Sequence, residues 1–332
     1  MPSFSYQYLD ECSPSFQPDC AIFCPVESCS DILAVGTYSL LPSSELRRGS
    51  IELFSALDRK LTPLSTIKTT DDAAVFRLRW ADDGGRPVLY SALTDGSVGL
   101  VCGVDGDARS ALYSSYKLSG DGAMLLCLSL SGASSGVAGD SRGRLLEFDL
   151  TRASSGSKCL RQWAAHQLPY QAEEPAQVWA VEVSRQQSPT SLCYSGADDG
   201  LLKLWDLRSA CVTAVSTNRC HSAGVARVLE LNDGRRLLTG SYDDRVRLLD
   251  ARMLARGEAV AEFNVGGGVW SIEQTTFADA DALFVACMYG GWRLLEFHSD
   301  ASADAVFGTL SSDVAAGDGL VYGDELSTNV TL

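Results

Sequence analysis

Three histidines, His166, His221 and His298, are this chain's natural candidates for a base working near neutral pH. A carboxylate can orient such a base, and the adjacent pair Asp198 and Asp199, together with Asp243, supplies three of them. Cys287 offers a different chemistry, because a thiolate attacks electrophilic carbon if a cationic neighbour helps it to ionise. A serine nucleophile is not signalled, since no Gly-x-Ser-x-Gly elbow occurs. The same part of the chain carries the aromatic residues Trp179, Trp270, Tyr242 and Tyr289. Metal chemistry finds less support: Cys20, Cys24 and Cys29 lie close together but match no compact ligand pattern, and no histidine is near them. No metal and no cofactor is expected.

These residues sit at corresponding points of a repeat. "YSGADDGLLKLWDLR" (Tyr194 to Arg208) matches "LTGSYDDRVRLLDAR" (Leu238 to Arg252) almost position for position. "LYSALTDGSVGLVCG" (Leu89 to Gly103), "GVAGDSRGRLLEFDL" (Gly136 to Leu150) and "LFVACMYGGWRLLEF" (Leu283 to Phe297) are looser copies, and "GSIELFSAL" (Gly49 to Leu57) is the second half of another. The equivalent turn residues Asp95, Arg142, Asp199, Asp243 and Tyr289 are spaced by 47, 57, 44 and 46 residues. Short alternating strands with Asp/Gly turns at a period in the forties are the signature of a WD40-type β-propeller. Each unit is a sheet too small to bury its own faces, so neighbouring blades must cover one another. "RLRW", "LLCLSL", "VWAVEV" and "VARVLEL" read as first strands of successive blades, and "KLWDL" and "RLLDA" as third strands. The expectation is an all-β chain forming one propeller domain over residues 1–332, with six blades and an incomplete seventh. "SFSYQYLD" at the start is read as an outer strand closing the ring, and few residues follow "GLVYGDEL" to complete the last blade.

The repeat also supplies a purely structural role for the polar residues. His166 and His221 precede a blade's first strand, while Asp199 and Asp243 lie in the turn between its second and third strands. In WD40 proteins a His, a Ser or Thr, this Asp and a third-strand Trp form a hydrogen-bonded chain that locks the blade. The fourth blade offers His166, Ser195, Asp199 and Trp205 for it. His298, after a third strand, is read as a solvated loop residue.

With 27 basic and 42 acidic residues the formal charge is −15, which disfavours nucleic acid and anionic membrane surfaces as partners. No stretch approaches the ~20 apolar residues of a membrane span. The start "MPSFSYQYLDECSPSFQ" has neither the basic nor the apolar region of a secretory signal, so the eleven cysteines are expected to be reduced, small buried hydrophobes in a cytoplasmic protein.

A finer series narrows the propeller. "WAAHQ", "YSGADDGLLKLWD", "GSYDDRVRLLD", "GGGVWSIE" and "VACMYGGWRLLEF" follow in order, flanked by "ILAVGTYSL" and "LVYGDEL". From about Asp31 to Gly323 the chain resembles the diphthine methyl ester hydrolases (diphthine methyltransferases in older naming), the WD-repeat family of diphthamide biosynthesis. "GGGVW" followed by "ACMYGG" carries most of the specificity. Ser271 and Tyr289 depart from the Arg and His of that pattern, and "QLPYQAEEPAQ" after His166 is a local insertion.

The resemblance implies an enzyme whose substrate is elongation factor 2 bearing methylated diphthine, a histidine derivative with a trimethylammonium group and a methyl ester. Other diphthamide-pathway proteins are its further implied partners. Hydrolysis would release methanol and leave the carboxylate. On that reading His166, followed by the extended loop, is the general base, and Asp198 or Asp199 orients it. Cys287 is the alternative nucleophile, and the aromatic residues with Asp198 and Asp243 hold the ammonium group. The competing expectation is a non-catalytic propeller that only binds proteins, with its histidines and turn carboxylates structural.

Overall fold

The computed structural model describes residues 10–41, 46–105, 110–151, 158–168, 174–185, 191–209, 213–277, 280–298 and 307–313. They form six sheets of four antiparallel strands. The first sheet contains β1 (Gln17–Phe23), β2 (Ile32–Leu41), β3 (Leu46–Ser55) and β4 (Thr62–Ala73), and the second β5 (Val75–Asp82), β6 (Pro87–Leu93), β7 (Ser97–Cys102) and β8 (Leu112–Lys117). The third contains β9 (Leu125–Leu130), β10 (Ser135–Asp140), β11 (Arg144–Asp149) and β12 (Cys159–Ala164), and the fourth β13 (Val178–Val183), β14 (Leu192–Ala197), β15 (Leu202–Asp206) and β16 (Ala214–Asn218). The fifth has β17 (Val225–Glu230), β18 (Arg236–Ser241), β19 (Arg245–Asp250) and β20 (Ala261–Asn264), and the sixth β21 (Ser271–Phe277), β22 (Ala280–Ala286), β23 (Trp292–Phe297) and β24 (Phe307–Asp313). Each strand pairs with the next in sequence, which is the blade of a WD40 β-propeller. The expected first strands are β5, β9, β13 and β17, and the expected third strands are β15 and β19. The chain start through residue 9, "GLVYGDEL" and hence the incomplete seventh blade lie outside the described residues.

The blades group into two compact units, Met1–Ser141 with Leu146–Gln162 and Arg142–Leu145 with Trp163–Leu332. In the first, Ile32, Ile51 and Leu53 of the first blade share a core with Val75, Leu78 and Leu89 of the second. Cys20, Cys24 and Cys29 are buried in that cluster as small apolar groups, and burial pushes the Cys24 thiol up to about 11. In the second unit, Ala180, Tyr194 and Leu202 of the fourth blade pack on Val225, Val228 and Leu249 of the fifth. Leu238, Val246 and Leu248 of the fifth pack in turn on Ile272, Leu283, Val285 and Phe297 of the sixth. Truncating one of these aliphatics to Ala would cost about 2–5 kcal/mol, because neighbouring blades share these layers.

Two local devices position the functional face of the second unit. The turn between second and third strands needs a left-handed residue. Gly200 takes it in the fourth blade (φ 70°) and Asp244 in the fifth (φ 64°). Secondly, β13 and β17 each carry a bulge, between Val178 and Ala180 and between Val225 and Arg227. The bulged residues are Trp179 and Ala226. A bulge breaks strict alternation and re-aims a side chain, here delivering Trp179 to the turn that carries Asp198.

Candidate functional site

His166 is locked. Its Nδ1 lies 2.9 Å from Asp199 Oδ2, its Nε2 lies 2.7 Å from Ser195 Oγ, and Trp205 Nε1 donates to the same Ser195 Oγ at 2.8 Å. Indole N–H only donates, so Ser195 Oγ accepts from Trp205 and its own O–H donates to His166 Nε2. That leaves Nδ1–H to donate to Asp199, which sets a neutral imidazole. Burial lowers the His166 pKa against the opposing pull of Asp199, in agreement with this tautomer. The His166 side chain has no exposed surface and that of Asp199 is 1% exposed. His166 as a general base oriented by Asp199 is therefore corrected, because both ring nitrogens are committed and neither reaches solvent. Asp198 does not orient His166 either. Its carboxylate accepts from Trp179 instead. After His166 the chain closes at once by a bridge between Gln167 and Pro175, so the insertion leaves from and returns to one point.

The fifth blade uses the same positions differently. His221 Nε2 bonds Thr239 Oγ1 at 2.9 Å, but Leu249 stands where the fourth blade has Trp205. Asp243 is held by Arg247 Nη1 at 2.9 Å and by the Ser222 N–H at 3.0 Å, and the Arg247 and Asp243 side chains are almost fully buried. Arg247 occupies the position of Lys203, whose Nζ donates to Ala165 O. Arg247 thus secures the turn of the fifth blade, whereas Lys203 holds the backbone just before His166. Burial, reinforced by Arg247, pushes His221 down to about 4. Asp243 is thus a structural ion pair and no part of an open cation site, which corrects the sequence expectation.

Cys287 is fully buried in the core between the fifth and sixth blades, and burial pushes its thiol up to about 12. Both features disfavour a thiolate nucleophile at this position. Tyr289, in the following turn, is 81% exposed. The residue that turns inward is Met288, held at φ 33°, a strained backbone for a non-glycine residue. This turn is shaped by backbone contact with the triple glycine before Trp270. A Cβ on Gly267 would meet Cys287 O at 2.7 Å and Gly290 Cα at 2.8 Å. "GGGVW" and "ACMYGG" are thus two halves of one close packing, and Arg293 Nη1 clamps Gly290 O at 2.8 Å.

Trp179, Trp270, Tyr242 and Asp198 do come together. Trp179 Nε1 donates to Asp198 Oδ1 at 2.8 Å, and the Trp179 and Trp270 rings lie 5.6 Å apart at 59°. The two indoles come from the fourth and sixth blades. They meet because the intervening fifth blade has Ala226 at the same strand position. Tyr242 stands between two glycines. A Cβ on Gly224 would lie 3.1 Å from its ring and 3.3 Å from Asp198 Oδ1, and one on Gly268 would lie 3.5 Å from the ring and 3.0 Å from Met288 Sδ. Trp270 is 5% exposed and forms the floor, with half-buried Trp179, Tyr242, Met288 and Asp198 above it. The tilted indoles are too close to admit a group between them, so a cation would rest on the remaining face of Trp179. Burial raises the Asp198 pKa above its ordinary value, while the Trp179 N–H pulls the other way. Sequence reasoning overlooked Met288 and the spacer residues Gly224, Ala226 and Gly268. Superposing the three repeats would have exposed them, since Trp179, Ala226 and Trp270 fall in one column and Asp198, Tyr242 and Met288 in another.

Comparison with known proteins agrees with this architecture. Residues 212–250 match the family "WD domain, G-beta repeat". A chain of the crystal structure of the mitotic checkpoint complex superposes with a TM-score of 0.62 over 97% of this chain and 89% of its own, at 17% identity, which is likeness of fold alone. Diphthine methyltransferase of Mus musculus is 30% identical over 83% of this chain and 60% of its own length, so this chain spans about three fifths of that relative. The Homo sapiens protein of the same name is 26% identical over 98% of this chain and 75% of its own, and that of Saccharomyces cerevisiae 25% over 90% and 89%. The repeats, the joined glycine motifs and these relatives make the chain similar to the WD-repeat diphthine methyltransferases.

Proposed function

We propose that this protein acts in diphthamide biosynthesis as a methyl ester hydrolase, removing the methyl group of methylated diphthine on elongation factor 2 as methanol. The observation that carries this reading is the patch of Trp179, Trp270 and Tyr242 edged by the Asp198 carboxylate. A trimethylammonium group needs an electron-rich ring face and a nearby negative charge, and an indole whose N–H donates to a carboxylate supplies both. The acidic balance of the chain favours a cationic substrate, and this reading sets the protein in the cytoplasm, where elongation factor 2 is met. The relatives' name speaks of methyl transfer, whereas the reading here is transfer of the acyl group to water.

The second reading is a propeller that only binds, favoured by the commitment of His166 to the blade lock. Incubation of the protein with methylated-diphthine elongation factor 2, followed by assay of methanol, separates the two. Hydrolysis predicts stoichiometric methanol, and binding alone predicts none. The patch itself is tested by Trp179→Ala, which is expected to raise KM roughly 5- to 30-fold, the worth of a partly desolvated cation–π contact. An unchanged KM would remove the cation site from the account.

A further inference from the structure

The base that the buried His166 and His221 cannot supply is sought on the patch. Among the described residues Asp199, Asp243 and Cys287 are committed as well. His166 and Asp199 are joined in the blade lock, Asp243 is paired with Arg247, His221 is buried on Thr239, and Cys287 lies in the core. Asp198 is different. It neighbours Asp199 in sequence but belongs to another network, its Oδ1 fixed by Trp179 Nε1 while the residue stays half-buried at the rim of the aromatic floor. The duplicated Asp-Asp of the turn therefore splits its labour, with one carboxylate holding the blade and the other facing the patch.

We infer that Asp198 is the catalytic base of the site, activating water for attack on the ester. This rests on the hydrolase reading above. The Asp198 carboxylate takes one proton from water as the water oxygen bonds to the ester carbonyl carbon, and the C=O π pair moves onto the carbonyl oxygen. The tetrahedral intermediate then reforms C=O and breaks the bond to the methoxy oxygen. The proton held by Asp198 passes to that oxygen, so methanol leaves and the product acid ionises to carboxylate. A cation resting on the Trp179 face, within ~6 Å of the ring centroid, keeps its own substituents within reach of a water on Asp198 at the ring edge. Burial of Asp198 adds basicity to the free protein, and the hydrogen bond from Trp179 holds the carboxylate in one orientation.

The test is Asp198→Asn, whose amide oxygen still accepts from Trp179, so the patch keeps its shape. kcat on methylated-diphthine elongation factor 2 and affinity for tetramethylammonium, by calorimetry, are measured for wild type and variant. The inference predicts a fall in kcat of roughly 10²–10⁴-fold, against a loss of tetramethylammonium affinity of no more than about tenfold from the removed counter-charge. A kcat within a few-fold of wild type would overturn it. So would parallel loss of kcat and of tetramethylammonium binding, which would make Asp198 a counter-ion only. If wild type releases no methanol while still binding tetramethylammonium, the hydrolase reading itself fails and the base falls with it. Asp198→Glu serves if the Asn variant does not fold: it keeps the charge but displaces it by one methylene. It must lower kcat at least tenfold and leave tetramethylammonium binding intact, and full activity would equally overturn the assignment.

Discussion

Replacing His166 by Ala should damage stability far more than chemistry. The substitution removes the Nδ1 contact to Asp199 and the Nε2 contact to Ser195, 2.9 and 2.7 Å long, from a site where the imidazole has no exposed surface. Asp199 keeps the Leu201 N–H at 3.1 Å and Ser195 keeps Trp205, so neither is wholly orphaned. A buried carboxylate stripped of its strongest donor, together with a lost neutral hydrogen bond and a ring-sized void beside Trp205, amounts to about 3–5 kcal/mol. At ~2–4 °C per kcal/mol for a domain of this size, the melting temperature should fall on the order of 10 °C. Differential scanning calorimetry reads that shift, and methanol release well below the lowered transition should remain within a few-fold of wild type. A variant that melts like wild type but has lost activity 10²-fold or more would refute the reasoning and restore His166 as the base.

Two further outcomes follow from the second unit. His221 is held at about 4 in the fold, below the ordinary 6.5 of a histidine, so the unfolded chain binds more protons in between. Its contribution is complete above 6.5, declines as pH falls from there towards 4 by about 3 kcal/mol at most, and is level below; His221→Gln should flatten that limb in a series of denaturant titrations, and an undiminished slope would count against it. Gly267→Ala should destabilise by about 1–3 kcal/mol, because the added Cβ meets backbone at Cys287 and Gly290. Gly268→Ala should cost less, since it meets the flexible Met288 thioether, and the reverse order of melting temperatures would contradict the packing described.

Much of this molecule can be read from its sequence because a propeller repeats its signals. Asp/Gly turns and strand alternation mark the blades, and the four members of the fourth-blade lock stand at their repeat positions in plain view. What they do is less legible. Whether a buried His–Asp pair is a base or a brace depends on whether both ring nitrogens are occupied, which only coordinates reveal. The course of Trp179 is hidden for another reason, since a one-residue bulge overrides the alternation from which its direction would be inferred. Asp243 misleads because Leu249 replaces the Trp of the lock, and the third-strand Arg247 then draws the carboxylate to itself. The sequence groups the exposed Tyr289 with the other aromatic residues, yet the turn around it is bent by glycine-to-glycine contact that presents Met288 instead.

The measurement that bears most directly on the central claim is intact mass spectrometry of methylated-diphthine elongation factor 2 after incubation with catalytic amounts of the wild-type protein. Ester hydrolysis predicts a product lighter by one methylene, formed over many turnovers and accompanied by equimolar methanol. A mass that stays unchanged at saturating protein, with the complex still formed, would contradict the hydrolase account and leave a propeller that recognises its partner without transforming it.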